Sequence, residues 1–127
     1  MYLDGEGGEQ SDKKAFKWVS LAAEQNEPYA LDYLGYMYYE GKGTEQSFEK
    51  ALDCFTRSAE EGNPEGAFNA ASMHLQGEGT EKDLAKAEEY FLVAADSGDP
   101  MALIELAKIY MKTNSARIPE LDQRFKA

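Results

Sequence analysis

The segment Pro28–Asn63 reads PYALDYLGYMYYEGKGTEQSFEKALDCFTRSAEEGN, and the next segment, Pro64–Asp99, reads PEGAFNAASMHLQGEGTEKDLAKAEEYFLVAADSGD. The two follow one another without a gap, and 11 of their 36 positions are identical. Pro100 stands one further period along the chain. Self-similarity at a fixed period of roughly 20–50 residues is typical of repeat proteins, whose units bury their apolar faces against one another. The period therefore predicts a repeat architecture.

The same period continues into both ends of the chain. Gly5 and Gly7 lie 36 residues before Gly41 and Gly43, which puts part of a repeat ahead of Pro28. We divide the chain into a leading half repeat, two full repeats, a trailing helix and a short C-terminal cap: 1–27, 28–63, 64–99, 100–112 and 113–127.

Each repeat carries signals for two helices, which we call helix A and helix B. Asn63-Pro64 and Asp99-Pro100 place a capping side chain before a proline at the first helical position. Helix A should end near Glu40 and Gln76, each followed by a glycine suited to a left-handed stop. Helix B should follow a capping Ser or Asp and end at a small or turn-forming residue: Ser11, Ser47 and Asp83 at the start, and Asn26, Gly62 and Gly98 at the end.

The repeat motif is similar to a known family. The pattern A-x-x-x-L-G-x-M-Y-x-x-G-x-G-T, followed by K-A-x-x-x-F-x-x-[SA]-A-x-x-G, resembles the Sel-one-like repeat family over roughly residues 1–112. The matching residues are Ala30, Leu34, Gly35, Met37, Tyr38, Gly41, Gly43, Thr44, Lys50, Ala51, Phe55, Ser58, Ala59 and Gly62.

This resemblance implies a fold and a use. The fold is an all-α, tetratricopeptide-like solenoid, a right-handed superhelix of helix-turn-helix repeats with helix A on the concave side. The use is that of an adaptor for protein complexes. Ile118, Leu121 and Phe125 are spaced for a short amphipathic cap over the last helix pair. Since the chain opens at positions equivalent to the end of a helix A, we also expect a fragment of a longer solenoid or an internal start.

The net charge of the chain limits the classes of partner that it can bind. A net charge of −11 repels phosphate backbones and anionic membrane surfaces, so we expect no nucleic-acid binding. No apolar run reaches the ~18–20 residues of a membrane span, so we expect no membrane insertion. A protein or peptide partner, including a basic one, stays open. The first residues carry no signal-peptide pattern; the cytoplasm is the default expectation, with export left open.

The residues that could carry chemistry have plainer structural roles. His74 stands at the position of Tyr38, which predicts packing, and Cys54 is expected to be a buried thiol. Ser47, in a Ser-x-x-Lys stretch, is expected to cap helix B. The pairs Glu60-Glu61 and Glu88-Glu89 are expected on a solvated convex face. We therefore predict no catalytic residue, no metal site and no cofactor.

Tyrosines mark the most promising surface. Tyr29, Tyr33 and Tyr36 fall on one face of helix A, at positions that vary between repeats. Tyrosine suits binding hot spots because it offers a large contact area and loses little rotamer entropy. The alternative is that a missing preceding helix A would cover Tyr29 and Tyr33. Phe68 and Ile104 should add exposed apolar area, and the predicted contact set is Tyr29, Tyr33, Tyr36, Phe68, Asn69, Ser72, Glu105 and Lys108.

Four functions remain open from the sequence. The first is an adaptor that binds a protein or peptide on the concave helix A surface. The second is an acidic inhibitor or immunity protein that neutralises a basic effector or enzyme. A cell-wall or β-lactam hydrolase is a minor alternative, and the fourth possibility is self-association through the solenoid ends.

Overall fold

The structure is a computed structural model that describes the backbone of residues 5–113 and the side chains of residues 11–112. Within this range the chain forms α-helices and no strands. They are α1 (Gly5–Ala23), α2 (Pro28–Glu40), α3 (Phe48–Glu60), α4 (Pro64–Gln76), α5 (Leu84–Asp96) and α6 (Pro100–Thr113). The all-α repeat solenoid predicted from the sequence is confirmed. None of the described helices is long and apolar enough to cross a bilayer.

The helix starts follow from the predicted caps. The Asn63 side chain accepts a hydrogen bond from the Glu65 N–H at 3.1 Å, and Asp99 accepts from the Met101 N–H at 3.0 Å. At α3, the Ser47 hydroxyl accepts from the Lys50 N–H at 3.2 Å. Each cap satisfies a backbone donor that the first turn of a helix leaves without a partner. The capping interpretation of the Ser-x-x-Lys stretch at Ser47 is therefore confirmed.

The helix A ends also follow the prediction. Gly41 and Gly77 have φ of 73° and 75°, and their N–H groups donate to Met37 and Met73 carbonyls at 2.8 Å. A left-handed φ carries no Cβ penalty for glycine, which is why the stop falls there.

One predicted helix start is wrong. Ser11 lies inside α1, which begins at Gly5. In the following repeat the corresponding loop is held by hydrogen bonds back to the preceding helix A, including one from the Ser47 N–H to the Tyr38 carbonyl at 2.9 Å. The residues before Gly5 lie outside the described range. The predicted cap at 113–127 also lies outside it, apart from Thr113, which ends α6.

Each helix packs against its neighbours in the chain, and α2 also contacts α4 directly. The A helices α2 and α4 are thus adjacent in the stack. By the repeat, we treat the exposed sides of α2, α4 and α6 as one surface. We call this surface the helix A face. The cores between the helices are filled by large and small side chains in turn, such as Phe91 among Ala67, Ala71 and Ala87. Such close packing stabilises the pairs through apolar burial.

Helix pairs approach closely where small residues face one another. A β-carbon on Gly66 would lie 2.6 Å from Ser58 Oγ. Ser58 is fully buried and its hydroxyl donates to the Pro28 carbonyl at 2.6 Å, so it has little freedom to move. One repeat earlier the same two positions are Ala22 and Ala30. The serine–glycine and alanine–alanine pairs therefore fill the same space in two ways.

We predict that Gly66→Ala alone destabilises the protein, because overpacking costs about 1–3 kcal/mol and the better helix propensity of alanine returns only about 1. The double variant Ser58→Ala/Gly66→Ala recreates the pair found one repeat earlier. The free energy of unfolding of the double variant, measured by urea titration, should be at least about 0.5 kcal/mol higher than the value expected from adding the two single destabilisations. Strictly additive effects would contradict the packing argument.

Candidate functional site

The predicted contact residues lie on α2, α4 and α6, and all but Phe68 lie on the helix A face. Tyr29, Tyr33 and Tyr36 are 65%, 59% and 49% exposed. Asn69 of α4 donates a hydrogen bond to Asp32 Oδ1 of α2 at 2.9 Å, across the line where the two helices meet. The pKa of Asp32 is raised above its usual value, because the effect of burial outweighs that of the hydrogen bond from Asn69. We call such a line between adjacent A helices a seam.

The three tyrosines differ in what they face. Tyr33 is the repeat equivalent of Asn69, which contacts the A helix before it, so Tyr33 lies at the edge of α2 that points away from α4. Tyr36 instead lines the α2–α4 seam together with Ser72. Both tyrosines are exposed, and Tyr36 is the one that lines the α2–α4 cavity. Cover of Tyr29 and Tyr33 by a preceding helix A stays a prediction.

Phe68 does not add the exposed apolar area that we predicted. It is half-buried, and its ring makes an edge contact with Phe91 at a centroid distance of 5.2 Å. Ile104, at the equivalent position of α6, is 48% exposed as expected. Phe68 packs against the core cluster between α4 and α5 that contains Phe91.

A cavity of about 170 Å³ lies at the α2–α4 seam. It brings together three of the predicted residues, Tyr36, Asn69 and Ser72. At its rim the Tyr39 hydroxyl donates to Glu78 Oε2 at 2.7 Å, and this hydrogen bond raises the pKa of Tyr39 to about 12. The remaining lining residues are Tyr39, Glu40, Phe55, Met73, Gln76 and Glu78.

Sequence reasoning missed several of these residues. Glu40 follows Tyr36 by four residues, so the helical spacing of the tyrosines could have been extended to it. Glu78 has no such signal, because it lies in the loop after α4 and meets Tyr39 from 39 residues away.

A second, wider cavity of about 1010 Å³ lies between α6, the end of α4 and the start of α5, and we refer to this place as the α4–α6 seam. It contains the predicted residues Glu105 and Lys108, whose side chains form an ion pair at 3.4 Å. The other lining residues are Leu75, Gln76, Lys82, Leu84, Ile109, Met111 and Lys112. The predicted contact set therefore falls into an α2–α4 group, an α4–α6 group and the outlying Tyr29, Tyr33 and Phe68.

The candidate nucleophiles are held in structural roles. Cys54 is buried, as predicted, and burial raises the pKa of its thiol to about 11, which keeps it protonated at neutral pH. The Ser47 hydroxyl caps α3. Among the described residues, no group of His, Cys, Asp and Glu is arranged to hold a metal ion.

Glu88 is a correction to the sequence analysis. It was predicted on a solvated face with Glu89, but it is only 8% exposed and accepts a hydrogen bond from the Tyr110 hydroxyl at 2.6 Å. Its repeat equivalents are Phe16 and Leu52, both apolar, and this register was a signal of burial. Glu89 is exposed as expected.

The first helix carries exposed apolar residues. Trp18 and Leu21 on α1 are 64% and 43% exposed. The repeat equivalent of Trp18 is Cys54, which is buried against Leu31 and Leu34 of α2, the helix A of its own repeat. Trp18 therefore occupies a position that is buried by helix A in the next repeat. Self-association through this end stays a prediction.

His74 packs inside the stack, as predicted. It is buried, its ring stacks parallel to Tyr90 at a centroid distance of 5.8 Å, and its Nδ1 has no hydrogen-bond partner within the described part of the chain. Burial lowers its pKa. The charges of Asp83 and Glu89 raise it, and that of Lys86 lowers it further.

Comparison with known proteins connects this architecture to a family. A family model described as the Sel1 repeat matches residues 1–27, 28–63 and 64–99. A search of curated proteins finds no match.

Solved structures give the same result. A protective antigen of uropathogenic Escherichia coli that displays an SLR fold superposes with a TM-score of 0.77 at 28% identity, covering 79% of this chain and 21% of that one. A Sel1 repeat protein from Oxalobacter formigenes gives 0.75 at 35% identity, covering 82% and 30%. This chain thus spans less than a third of the length of either protein. Cysteine rich protein B of Helicobacter pylori, at 24% identity, shares the fold with a TM-score of 0.68 over 71% of this chain and 68% of its own.

The buried histidine predicts a pH dependence of stability. Because its pKa is lowered on folding, the unfolded chain takes up the imidazole proton first as the pH falls. The stability linked to neutral His74 is therefore fully present above about pH 6.5 and declines as the pH drops through that value toward the folded pKa. We expect His74→Phe, which cannot titrate, to lose less unfolding free energy than the wild type between about pH 7.5 and 5.5. Equal losses in urea titrations would contradict this assignment.

Proposed function

We propose that this chain, which belongs to the Sel1 repeat family, is a protein-binding module that holds a partner protein or peptide on its helix A face. Sel1 repeats are generally protein–protein interaction modules. The observation that carries the proposal is the exposure of Tyr36 at a seam whose floor is a preformed cavity.

The contrast between recurring buried positions and variable exposed positions supports this proposal. Residues that recur every 36 positions, such as Ala51 and Phe55, are buried in the helix stack. The helix A face positions change from Tyr36 to Ser72 to Lys108. Packing therefore does not require a particular residue there, which leaves these positions free to serve recognition.

Tyr36 has the properties of a binding anchor. It is half exposed before binding, so covering it with a partner removes apolar ring area from water, worth about 25 cal/mol per Å². Its hydroxyl supplies a polar contact, and its side chain has few rotatable bonds to immobilise. Asn69 and Ser72 on the facing helix add hydrogen-bonding groups beside it.

The acidity of the chain supports a second candidate, an inhibitor that neutralises a basic enzyme or toxin. The net charge of −11 would attract such a partner over long range. The two candidates use the same face and differ in whether the partner loses an activity when bound.

We predict that Tyr36→Ala weakens partner binding by about ten- to thirtyfold, which corresponds to a loss of about 1.4–2 kcal/mol. The affinity would be measured by calorimetry with the physiological partner. Val93→Ala on α5 is the matched control, since Val93 is 45% exposed and lies off the helix A face. Wild-type affinity in the folded double variant Tyr33→Ala/Tyr36→Ala would rule out binding at this face.

If the partner is a basic protein, we expect its association rate constant to fall by at least about tenfold between low and physiological ionic strength, because salt screens long-range attraction. Stopped-flow measurements at several salt concentrations check this. A salt-independent rate would contradict the inhibitor candidate and leave the binding module standing.

A further inference from the structure

The two seam cavities occupy equivalent places in successive repeats. Asn69, Ser72 and Gln76 line the α2–α4 cavity, and the residues 36 positions later, Glu105, Lys108 and Lys112, line the α4–α6 cavity. One binding position is therefore built twice along the helix A face, with different side chains each time.

The two cavities carry opposite charge. The described residues that line the first include the carboxylates Glu40 and Glu78 and no lysine or arginine. Those that line the second include Lys82, Lys108 and Lys112, and its one carboxylate, Glu105, is paired with Lys108. The chain has only 13 lysines and arginines against 24 acidic residues, so three lysines at one seam run against its average composition.

We infer that the helix A face recognises a partner segment that places an arginine in the α2–α4 cavity and an acidic side chain over the α4–α6 cavity. This rests on the proposed function and names the chemistry of its partner. The occupant is a short peptide segment of another protein, recognised by two side chains of opposite charge.

The first cavity fits a single arginine side chain. Its volume of about 170 Å³ is much smaller than the 1010 Å³ of the second cavity, which suits the insertion of one side chain. Phe55 and Met73 provide apolar surface for the methylene stem, and Glu40 and Glu78 stand where the cationic head would lie. Arginine suits this site better than lysine because its planar guanidinium can stack on the Tyr36 ring while it bonds a carboxylate.

The spacing of the cavities constrains the peptide. Axes of helices that pack directly lie about 8–10 Å apart, and this is the shortest spacing to be expected between the two seams. A polyproline II segment advances about 9 Å in three residues and returns to the same side, so residues i and i+3 can reach adjacent seams. The recognised pattern is therefore a basic and an acidic residue separated by at least two others.

The inference can be tested on the intact chain with small probes. The probes are N-acetyl-arginine N-methylamide, N-acetyl-glutamate N-methylamide and the capped tetrapeptides Arg-Pro-Pro-Glu and Glu-Pro-Pro-Arg, titrated into ¹⁵N-labelled protein at low salt. We expect the arginine probe to shift the amide signals of Tyr36, Asn69 and Met73 saturably. The glutamate probe should shift those of Lys108 and Lys112. One of the two tetrapeptides should bind at least about tenfold more tightly than either single residue, because the second contact becomes intramolecular.

Charge variants separate the cavity from the general acidity of the chain. Glu40→Gln should raise the Kd of the arginine probe by up to about fivefold, as for an exposed ion pair. Glu49→Gln on α3 removes the same charge from an exposed residue that lines neither cavity, and it should change little. Equal effects of the two substitutions, or arginine shifts spread over the acidic surface, would overturn the inference.

The outcome is separable from that of the proposed function. If Tyr36→Ala abolishes partner binding while the probes show no preference for either cavity, the charge-pattern inference is wrong and the binding face stands. If the probes select their cavities but a bound partner is insensitive to Tyr36→Ala, the proposed function is wrong and the two small-ligand sites stand.

Discussion

Where α3 meets α4, the α-carbon of Gly66 lies so close to Ser58 that a β-carbon on the glycine would be 2.7 Å from the serine Cβ. A similar approach occurs between Gly35 and the ring of Phe55. Helices at this distance limit the combined size of the two facing residues, so a larger residue on one helix requires a smaller one opposite. The Ser58–Gly66 pair and the Ala22–Ala30 pair one repeat earlier meet this limit in two ways. The 36-residue period is the sequence record of that packing requirement.

The same packing requirement distinguishes the positions needed for the fold from the positions available for binding. Some residues in close contact between helices recur unchanged, such as Ala51 and Phe55, whereas positions on the outer line of each A helix, such as that of Tyr36, do not have to meet this packing requirement. The charge and polarity of each seam between A helices are therefore set by the side chains at these variable positions. At the first seam this is an aromatic, acidic cavity with Tyr36, and at the second it is a wider one rimmed by lysines such as Lys108.

Buried polar groups show how one unit differs from the next. Tyr38 meets Phe16 in an edge contact, while its equivalent two repeats later, Tyr110, donates a hydrogen bond to Glu88. The carboxylate of Glu88 is tolerated inside the stack because a partner is supplied from the facing helix. His74, between them in sequence, stacks on Tyr90 and keeps an unpartnered nitrogen within the described structure. The repeat therefore conserves the packing position and not its polarity.

The sequence by itself determined the helices, most of their boundaries and the repeat fold. Those features depend on local chemistry: side-chain caps such as Ser47, left-handed glycines such as Gly41 and the helical spacing of small residues are all set within a few positions of the chain. Only the tertiary structure decided that Phe68 turns into the core and that the tyrosines divide between an edge and a seam. It also decided that Glu78 joins Tyr39 at the rim of a cavity. The physical reason is that these outcomes depend on which helix or loop stands opposite, and that residue lies a full repeat away.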